Sequence, residues 1–444
     1  MALTFKRGIH PKEEKQYTEN VAIKDVMHHA GSEVICPLLQ HLGVPCEPLV
    51  EKGQKVLLGE KIGDSEAFFC APVHATVSGI VKDIRPHLTV MGQIVNSIII
   101  ENDGELKLHE SVKLRDGFED LSREQILGII REAGIVGLGG AGFPTHVKLS
   151  PPPDKKIDTV IVNGCECEPY LTTDNRVMIE EADFIVIGLR IILKVIPDAK
   201  GIIAVEDNKP EAVEALRKAC ADIPNIDVAV VKTKYPQGAE KQLIYSVTKR
   251  EVPSGGLPMD IGCIVSNVDT VIAIERAILR GRPLMRKVVT LTGGAIMNPG
   301  NYKVRYGTKL GDLVEQAGGF RISPTKIVVG GPMMGTAIFD IDVPIVKTTA
   351  GVLFLTEEEA FIPPEQKCIR CGMCVEHCPS GLMPTELSAD ILREDGDAFV
   401  EHNGLDCIEC GSCSYICPAK KRLAQAIRTI RRVELAKQKK KSKS

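Results

Sequence analysis

Cys368-Ile-Arg-Cys371-Gly-Met-Cys374-Val-Glu-His-Cys378-Pro379 is repeated further on as Cys407-Ile-Glu-Cys410-Gly-Ser-Cys413-Ser-Tyr-Ile-Cys417-Pro418. Both spell CxxCxxCxxxCP, and a double occurrence is not a chance match. Three thiolates at this spacing wrap one iron–sulfur cubane, while the fourth, carried past the turn by its proline, reaches the neighbouring cluster. The spacing therefore assigns Cys368, Cys371, Cys374 and Cys417 to one [4Fe–4S] cluster, and Cys407, Cys410, Cys413 and Cys378 to a second. Thiolate tetrads also hold zinc, which is the alternative, but zinc sites seldom pack four cysteines this closely before a proline. Gly372 and Gly411 would let the backbone approach the sulfides and tune the potentials. Two such clusters carry electrons one at a time.

The rest of the composition agrees with an electron carrier rather than a secreted scaffold. Fifteen cysteines in 444 residues, eight of them in these motifs, argue for metal binding over a disulfide framework and for the cytosol. Cys165 and Cys167 lack two further ligands, and Cys36, Cys46, Cys70, Cys220 and Cys263 read as small buried hydrophobes. The length predicts two to four domains. Net charge is −3, yet Pro418–Ser444 alone carries eleven Lys and Arg against one Glu, so the remainder is acidic. Met1–Lys15 has charges where a signal peptide needs an apolar core. The longest apolar run, Phe184–Val205, is interrupted by Arg190, Lys194, Asp198 and Lys200, so attachment to a membrane would need another tether.

Upstream of the cysteines, the period of the sequence changes twice. Residues 1–112 read as short strands punctuated by turns such as Lys52-Gly53 and Ala71-Pro72. The pieces Leu49–Val56 and Ala71–Val81 resemble the halves of a biotinyl/lipoyl-type barrel-sandwich hybrid. No lysine stands between Lys61 and Lys82 to carry a swinging cofactor, so a structural or docking role is expected. Residues 118–282 alternate helical periodicity (Ser122–Ala133) with β-branched runs at Thr159–Val162, Ile202–Val205 and Val228–Val231, an α/β pattern. Residues 283–350, with Val288–Leu291, Gly300–Val304 and Lys326–Val329 around the helical piece Leu310–Ala317, resemble a soluble-ligand-binding β-grasp domain. After the linker Pro363-Pro364, residues 363–435 form a two-cluster, ferredoxin-like helical domain, and 436–444 a basic tail. The fold class is thus multidomain, α/β and α+β.

Gly137-Leu-Gly139-Gly140-Ala-Gly142-Phe143-Pro-Thr145 contains GxGxxG, but a helix rather than a strand precedes it, so the dinucleotide-binding context fails. A loop so rich in glycine still offers bare N–H groups to a phosphate or a flat ring. With its continuation to Leu149 it resembles the flavin-binding loop of the flavoprotein subunit of respiratory complex I. Asn163–Pro169 and Ser266–Thr270 resemble parts of that flavoprotein too. The order of all four parts, from Gly8-Ile9-His10-Pro11 to Pro418, resembles the RnfC family of Rnf electron-transport complexes.

That resemblance implies non-covalent FMN lined by Gly137, Gly139, Gly140, Gly142 and Lys148, with Asn163, Glu166, Asn267 and Thr270 also in contact. Phe143 would face the nicotinamide nucleotide, and Glu168 and Glu240 would position rather than catalyse. Leu138, Cys165 and Cys167 depart from the complex I pattern. The implied function is a peripheral subunit, on the cytoplasmic side of the cell membrane, of a ferredoxin:NAD⁺ oxidoreductase coupled to Na⁺ or H⁺ translocation. It would pass electrons between NAD(H), FMN and the two clusters, and reach ferredoxin indirectly through a partner subunit; no nucleic acid is involved. NADH delivers two electrons and a cluster accepts one, so a flavin between them is chemically required. A soluble cobalamin reductase is one alternative, although its flavin loop lies near the N-terminus. A non-catalytic iron–sulfur wiring or assembly subunit is the other. The basic tail is expected either to bind an anionic surface or to be merely solvated.

Overall fold

Four β-branched runs close the central layer, and the order in which they pair decides where a ligand can sit. In the computed structural model, which describes residues 3–441, Thr159–Gly164, Lys200–Glu206, Ile226–Val231 and Cys263–Asn267 form a parallel sheet. Thr159–Gly164 is an inner strand, flanked by Lys200–Glu206 on one side and Cys263–Asn267 on the other. The chain winds outward to Ile226–Val231, then crosses back to the opposite side. Helices Arg123–Glu132, Ala182–Val195 and Val268–Arg280 bury Ile126, Ile130, Leu189, Ile192, Val271 and Ile274 in one core with this sheet. Strands covered by helices can be apolar along their whole length, which is why these runs lack alternation.

A mixed six-stranded sheet follows, in the order Lys24–Asp25, Gly300–Arg305, Arg286–Thr292, Gly351–Leu355, Lys326–Val329, Thr336–Ile338. Its core is continuous with that of the α/β layer. The strand Gly351–Leu355 carries this sheet past residue 350, where the sequence division had ended the domain.

The N-terminal β unit has its own core, built from Val34, Ile62, Val73, Val81, Ile98 and others between two small sheets. The division at 1–112 had included the first strand in it. Lys24–Asp25 instead pairs in parallel with Tyr302 and Lys303. The preceding residues cross the other units: Leu3 bridges Val231, Ile9 bridges Tyr235, and Gly8 N–H donates to the His377 carbonyl. So short a strand has no hydrophobic signal of its own; it is fixed by what it lies against. The last helix, Leu423–Lys441, runs beyond the Lys437 limit expected from the sequence, and Ser442–Ser444 lie outside the described residues.

Candidate functional site

In open parallel sheets, ligands bind outside the carboxyl ends of the strands where the winding direction reverses. Here that point lies between Thr159–Gly164 and Cys263–Asn267, so Asn163 and Asn267 stand side by side at the crevice. The glycine loop lies over it. Thr270 Oγ1 accepts from Leu138 N–H at 2.9 Å, and Lys287 Nζ donates to the Leu138 carbonyl at 2.5 Å. A Cβ on Gly139 would come 3.0 Å from that of Asn267, whereas one on Gly140, at φ +149°, would meet nothing within 4 Å. Among the described residues the N–H groups of Gly139, Gly140 and Ala141 find no partner in the chain. Unspent donors facing free space suit a phosphate or the edge of a planar ring.

The other expected residues fall into two groups. Lys148 and Glu240 meet at the crevice: Lys148 Nζ stands 3.3 Å from Glu240 Oε1 and donates to the Val265 carbonyl at 2.9 Å. Phe143 packs edge-on against Phe69 of the β unit, with ring centroids 6.1 Å apart. The remainder hold backbone. Asn163 donates to the Gly238 carbonyl at 2.9 Å and accepts from Cys165 N–H; Asn267 caps the helix that follows it. Gly137 N–H closes the loop on the Phe143 carbonyl at 2.9 Å. Glu166 accepts from Thr173 Oγ1 and from Asp174 and Asn175 N–H, so its carboxylate is spent on the start of helix Thr173–Glu180.

Behind the loop lies a charged group that the sequence reading did not single out. Asp174 Oδ2 accepts from Asn267 Nδ2 at 2.7 Å; burial, and then the neighbouring charge of Glu166, push its carboxyl up to about 7. Lys287 is buried beside it, and burial lowers its pKa. A lysine opening the apolar strand Arg286–Thr292 was the available signal. Lys15 was also missed: its buried ammonium donates to the carbonyls of Glu166, Glu168 and Leu171, pinning the turn after Asn163.

In the cysteine module the thiols sort into two neighbourhoods. Cys378, Cys407, Cys410 and Cys413 line one cavity together with Leu387 and Ile427. Burial raises the thiol pKa values of Cys407, Cys410 and Cys413, and the charge of Cys378 raises each further. Burial likewise raises Cys374, which also feels Cys417 and Cys371. Four thiols around one cavity are the donor set a cubane takes.

The first of these neighbourhoods docks on the α/β unit. Cys410 is buried among Ile9, Tyr235 and Met333, and Tyr235 Oη donates to its carbonyl at 2.7 Å. Glu168 lies beside them, accepting from Met333 N–H at 3.1 Å and from Tyr235 Oη at 3.4 Å. Burial pushes its carboxyl up to about 7. Tyr235 belongs to the segment whose Gly238 is held by Asn163, so one loop joins the crevice to the cluster thiols. Cys165 and Cys167 take backbone partners instead of a metal: Cys165 Sγ donates to the Ala204 carbonyl, and Cys167 Sγ accepts from Gly238 N–H.

Comparison with known proteins follows the same division. Residues 3–105 match the RnfC barrel sandwich hybrid domain, 130–276 the Nuo51 FMN-binding domain, 288–337 the SLBB domain and 358–422 the 4Fe-4S dicluster domain. The RnfC-type subunit of the proton-translocating ferredoxin:NAD(+) oxidoreductase complex of Clostridium ljungdahlii is 46% identical, over 97% of this chain and 94% of that protein. Its counterpart in the Na(+)-translocating ferredoxin:NAD(+) oxidoreductase complex of Acetobacterium woodii is also 46% identical, over 98% of each. An NAD⁺-reducing [NiFe]-hydrogenase, solved in the H₂-reduced state, shares the fold with TM-score 0.50 and 19% identity, over 70% of this chain and 60% of that one. The expected architecture and its FMN and 4Fe–4S domains are therefore present, and the chain belongs to the RnfC family of ferredoxin:NAD⁺ oxidoreductase complexes.

Proposed function

We propose that this chain is the subunit of an ion-translocating ferredoxin:NAD⁺ oxidoreductase that moves electrons between NAD(H), FMN and two [4Fe–4S] clusters. The observation that carries the reading is the loop Tyr235–Gly238, which bonds the crevice through Asn163 and the cluster module through Cys410. Bound FMN supplies exchange between a two-electron hydride donor and one-electron carriers. The chain's own part is placement. The bare N–H groups of Gly139 to Ala141 and the ammonium of Lys148 bind the anionic group, while Gly140 leaves room for the ring. Phe143, backed by Phe69, offers a face to the nicotinamide nucleotide, and Glu168 and Glu240 hold their neighbours. No acid or base is needed for direct hydride transfer.

Cys378 serves the cluster of Cys407, Cys410 and Cys413, and Cys417 that of Cys368, Cys371 and Cys374; the two thiol neighbourhoods support this crossed assignment. Among the described residues no helix is long and apolar enough to cross a membrane. Attachment would therefore be peripheral, on the cytoplasmic side, through membrane-spanning partner subunits that also relay electrons to ferredoxin. The two relatives, equally similar, are named for different ions, so similarity does not choose between Na⁺ and H⁺. The test is to purify the chain anaerobically, measure flavin and iron, and add NADH. About one non-covalent flavin and about eight iron per chain, with the visible absorbance bleached by NADH, are expected. Clusters without flavin, and no response to NADH, would instead mark a wiring or assembly role.

A further inference from the structure

The N-terminal β unit holds ligating side chains that neither the crevice nor the cluster module uses. A ring nitrogen of His41 and the sulfurs of Cys46 and Cys70 lie within 4.8 Å of one another, and all three residues are buried. The two sulfurs are 3.5 Å apart. Ligands held at zinc bond lengths on the corners of a tetrahedron stand roughly 3.3–3.8 Å from each other. The thiols therefore already have the spacing of ligands.

The imidazole is prepared in the same sense. His41 Nε2 is 3.0 Å from the Val44 carbonyl and 3.3 Å from Ala71 N, while Nδ1 has no partner although the residue is only 8% exposed. Taking the shorter contact as the hydrogen bond, Nε2 carries the proton and donates it to Val44. The lone pair then falls on Nδ1. A metal-bound histidine shows this arrangement, one nitrogen ligating and the other donating to a carbonyl.

The geometry points to a binding site for a zinc-class divalent cation formed by His41, Cys46 and Cys70. Each thiol releases its proton to solvent on binding, two protons per ion, and no electron moves. A dication with two thiolates and a neutral imidazole carries no net charge, which a buried site tolerates. The fourth corner is left to a water or a small ligand. The ion would clip together the two loops that brace the glycine loop from outside. One, carrying His41 and Cys46, donates Leu42 N–H to the Gly142 carbonyl at 3.0 Å; the other, ending at Cys70, sets Phe69 against Phe143.

The test uses the full chain with both clusters in place, incubated with one equivalent of Zn²⁺ and desalted. Zinc and iron are counted together in wild type, His41→Ala and Cys70→Ser. About one zinc beside about eight iron is expected in wild type, with the zinc lost and the iron retained in both variants. X-ray absorption at the zinc edge, which is blind to iron and needs no variant, should show two sulfurs near 2.3 Å and one nitrogen at about 2.0–2.1 Å. Zinc retained by both variants, a shell of four sulfurs, or no zinc in wild type would each overturn the assignment. So would a Cys46–Cys70 disulfide in protein kept under reductant.

Discussion

The two cysteine loops are copies of one design placed in different surroundings. Arg370 and Glu409 both sit at φ +56°, and Gly372 and Gly411 at φ +78° and +77°. Arg370 N–H points at Cys368 Sγ and Glu409 N–H at Cys407 Sγ, each at 3.4 Å. Beyond that frame they part. Cys368 and Cys371 are exposed, whereas Cys410 is buried under Tyr235 and Met333. A Cβ on Gly372 would meet open space, but one on Gly411 would come 2.9 Å from the Met333 carbonyl. The motif dictates the cage; packing decides which cage faces the flavin crevice and which faces outward. Because burial and hydrogen bonds to a cluster set its potential, the two sites need not be equivalent.

The sharpest way to break this comparison is to remove Cys378, which lies in the first loop but among the thiols of the second. Cys378→Ala should lower iron from about eight to about four per chain. The cluster of Cys368, Cys371, Cys374 and Cys417 should survive. Spectroscopic loss of that cluster instead would mean each loop holds its own.

Glu168, beside the covered loop, gives the next largest effect. Its folded pKa of about 7 lies above the ordinary 4.5, so the native state binds the proton more tightly than the unfolded one. Stability therefore falls as pH rises from 4.5 through 7, and the penalty, on the order of 3 kcal/mol, is complete above 7. Glu168→Gln should melt higher than wild type at pH 8, with the gap closing towards pH 5. A constant difference across that range would remove the buried carboxyl from the account.

Tyr235→Phe strips one donor from the Cys410 carbonyl, at a cost of about 1–2 kcal/mol. It should shift the potential of the covered cluster and leave the exposed one unchanged. Equal shifts would mean that Tyr235 acts through the fold as a whole.

The smallest effect concerns the basic end, where Lys437 already pairs with Glu434 at 2.7 Å. Deleting residues 437–444 should weaken binding to anionic vesicles at low salt and little at high salt, each Lys near such a surface contributing about 1 kcal/mol. NADH oxidation with an artificial acceptor should not change. Identical retention across a salt series would show that the tail is only solvated.

Much of this was legible because the signals are local. Lys326–Val329 was bounded to the residue, and Thr159–Val162, Ile202–Val205 and Val228–Val231 each proved to be the centre of a slightly longer strand. Ser122 and Ala133 are the caps of the helix they were expected to begin and end. What escaped depends on residues far apart in sequence. Lys24–Asp25 is a strand only because Gly300–Arg305 offers it an edge. Asp174 reads as an ordinary acid in a first helical turn, and only the fold brings it to Asn267. Glu166 was expected at the flavin, but helix Thr173–Glu180 takes its carboxylate. Cys46 and Cys70 were read singly as buried hydrophobes, and nothing in their spacing places them beside His41.

The central claim is that electrons entering at the crevice meet the covered cluster first. Cys371→Ala and Cys378→Ala would each leave one cluster and an untouched glycine loop, so the flavin-replete variants can be mixed rapidly with NADH and the remaining cluster followed spectroscopically. The account predicts fast reduction of the covered cluster in Cys371→Ala, and an exposed cluster that stays oxidised on that timescale in Cys378→Ala. Fast reduction of the exposed cluster in Cys378→Ala would contradict it.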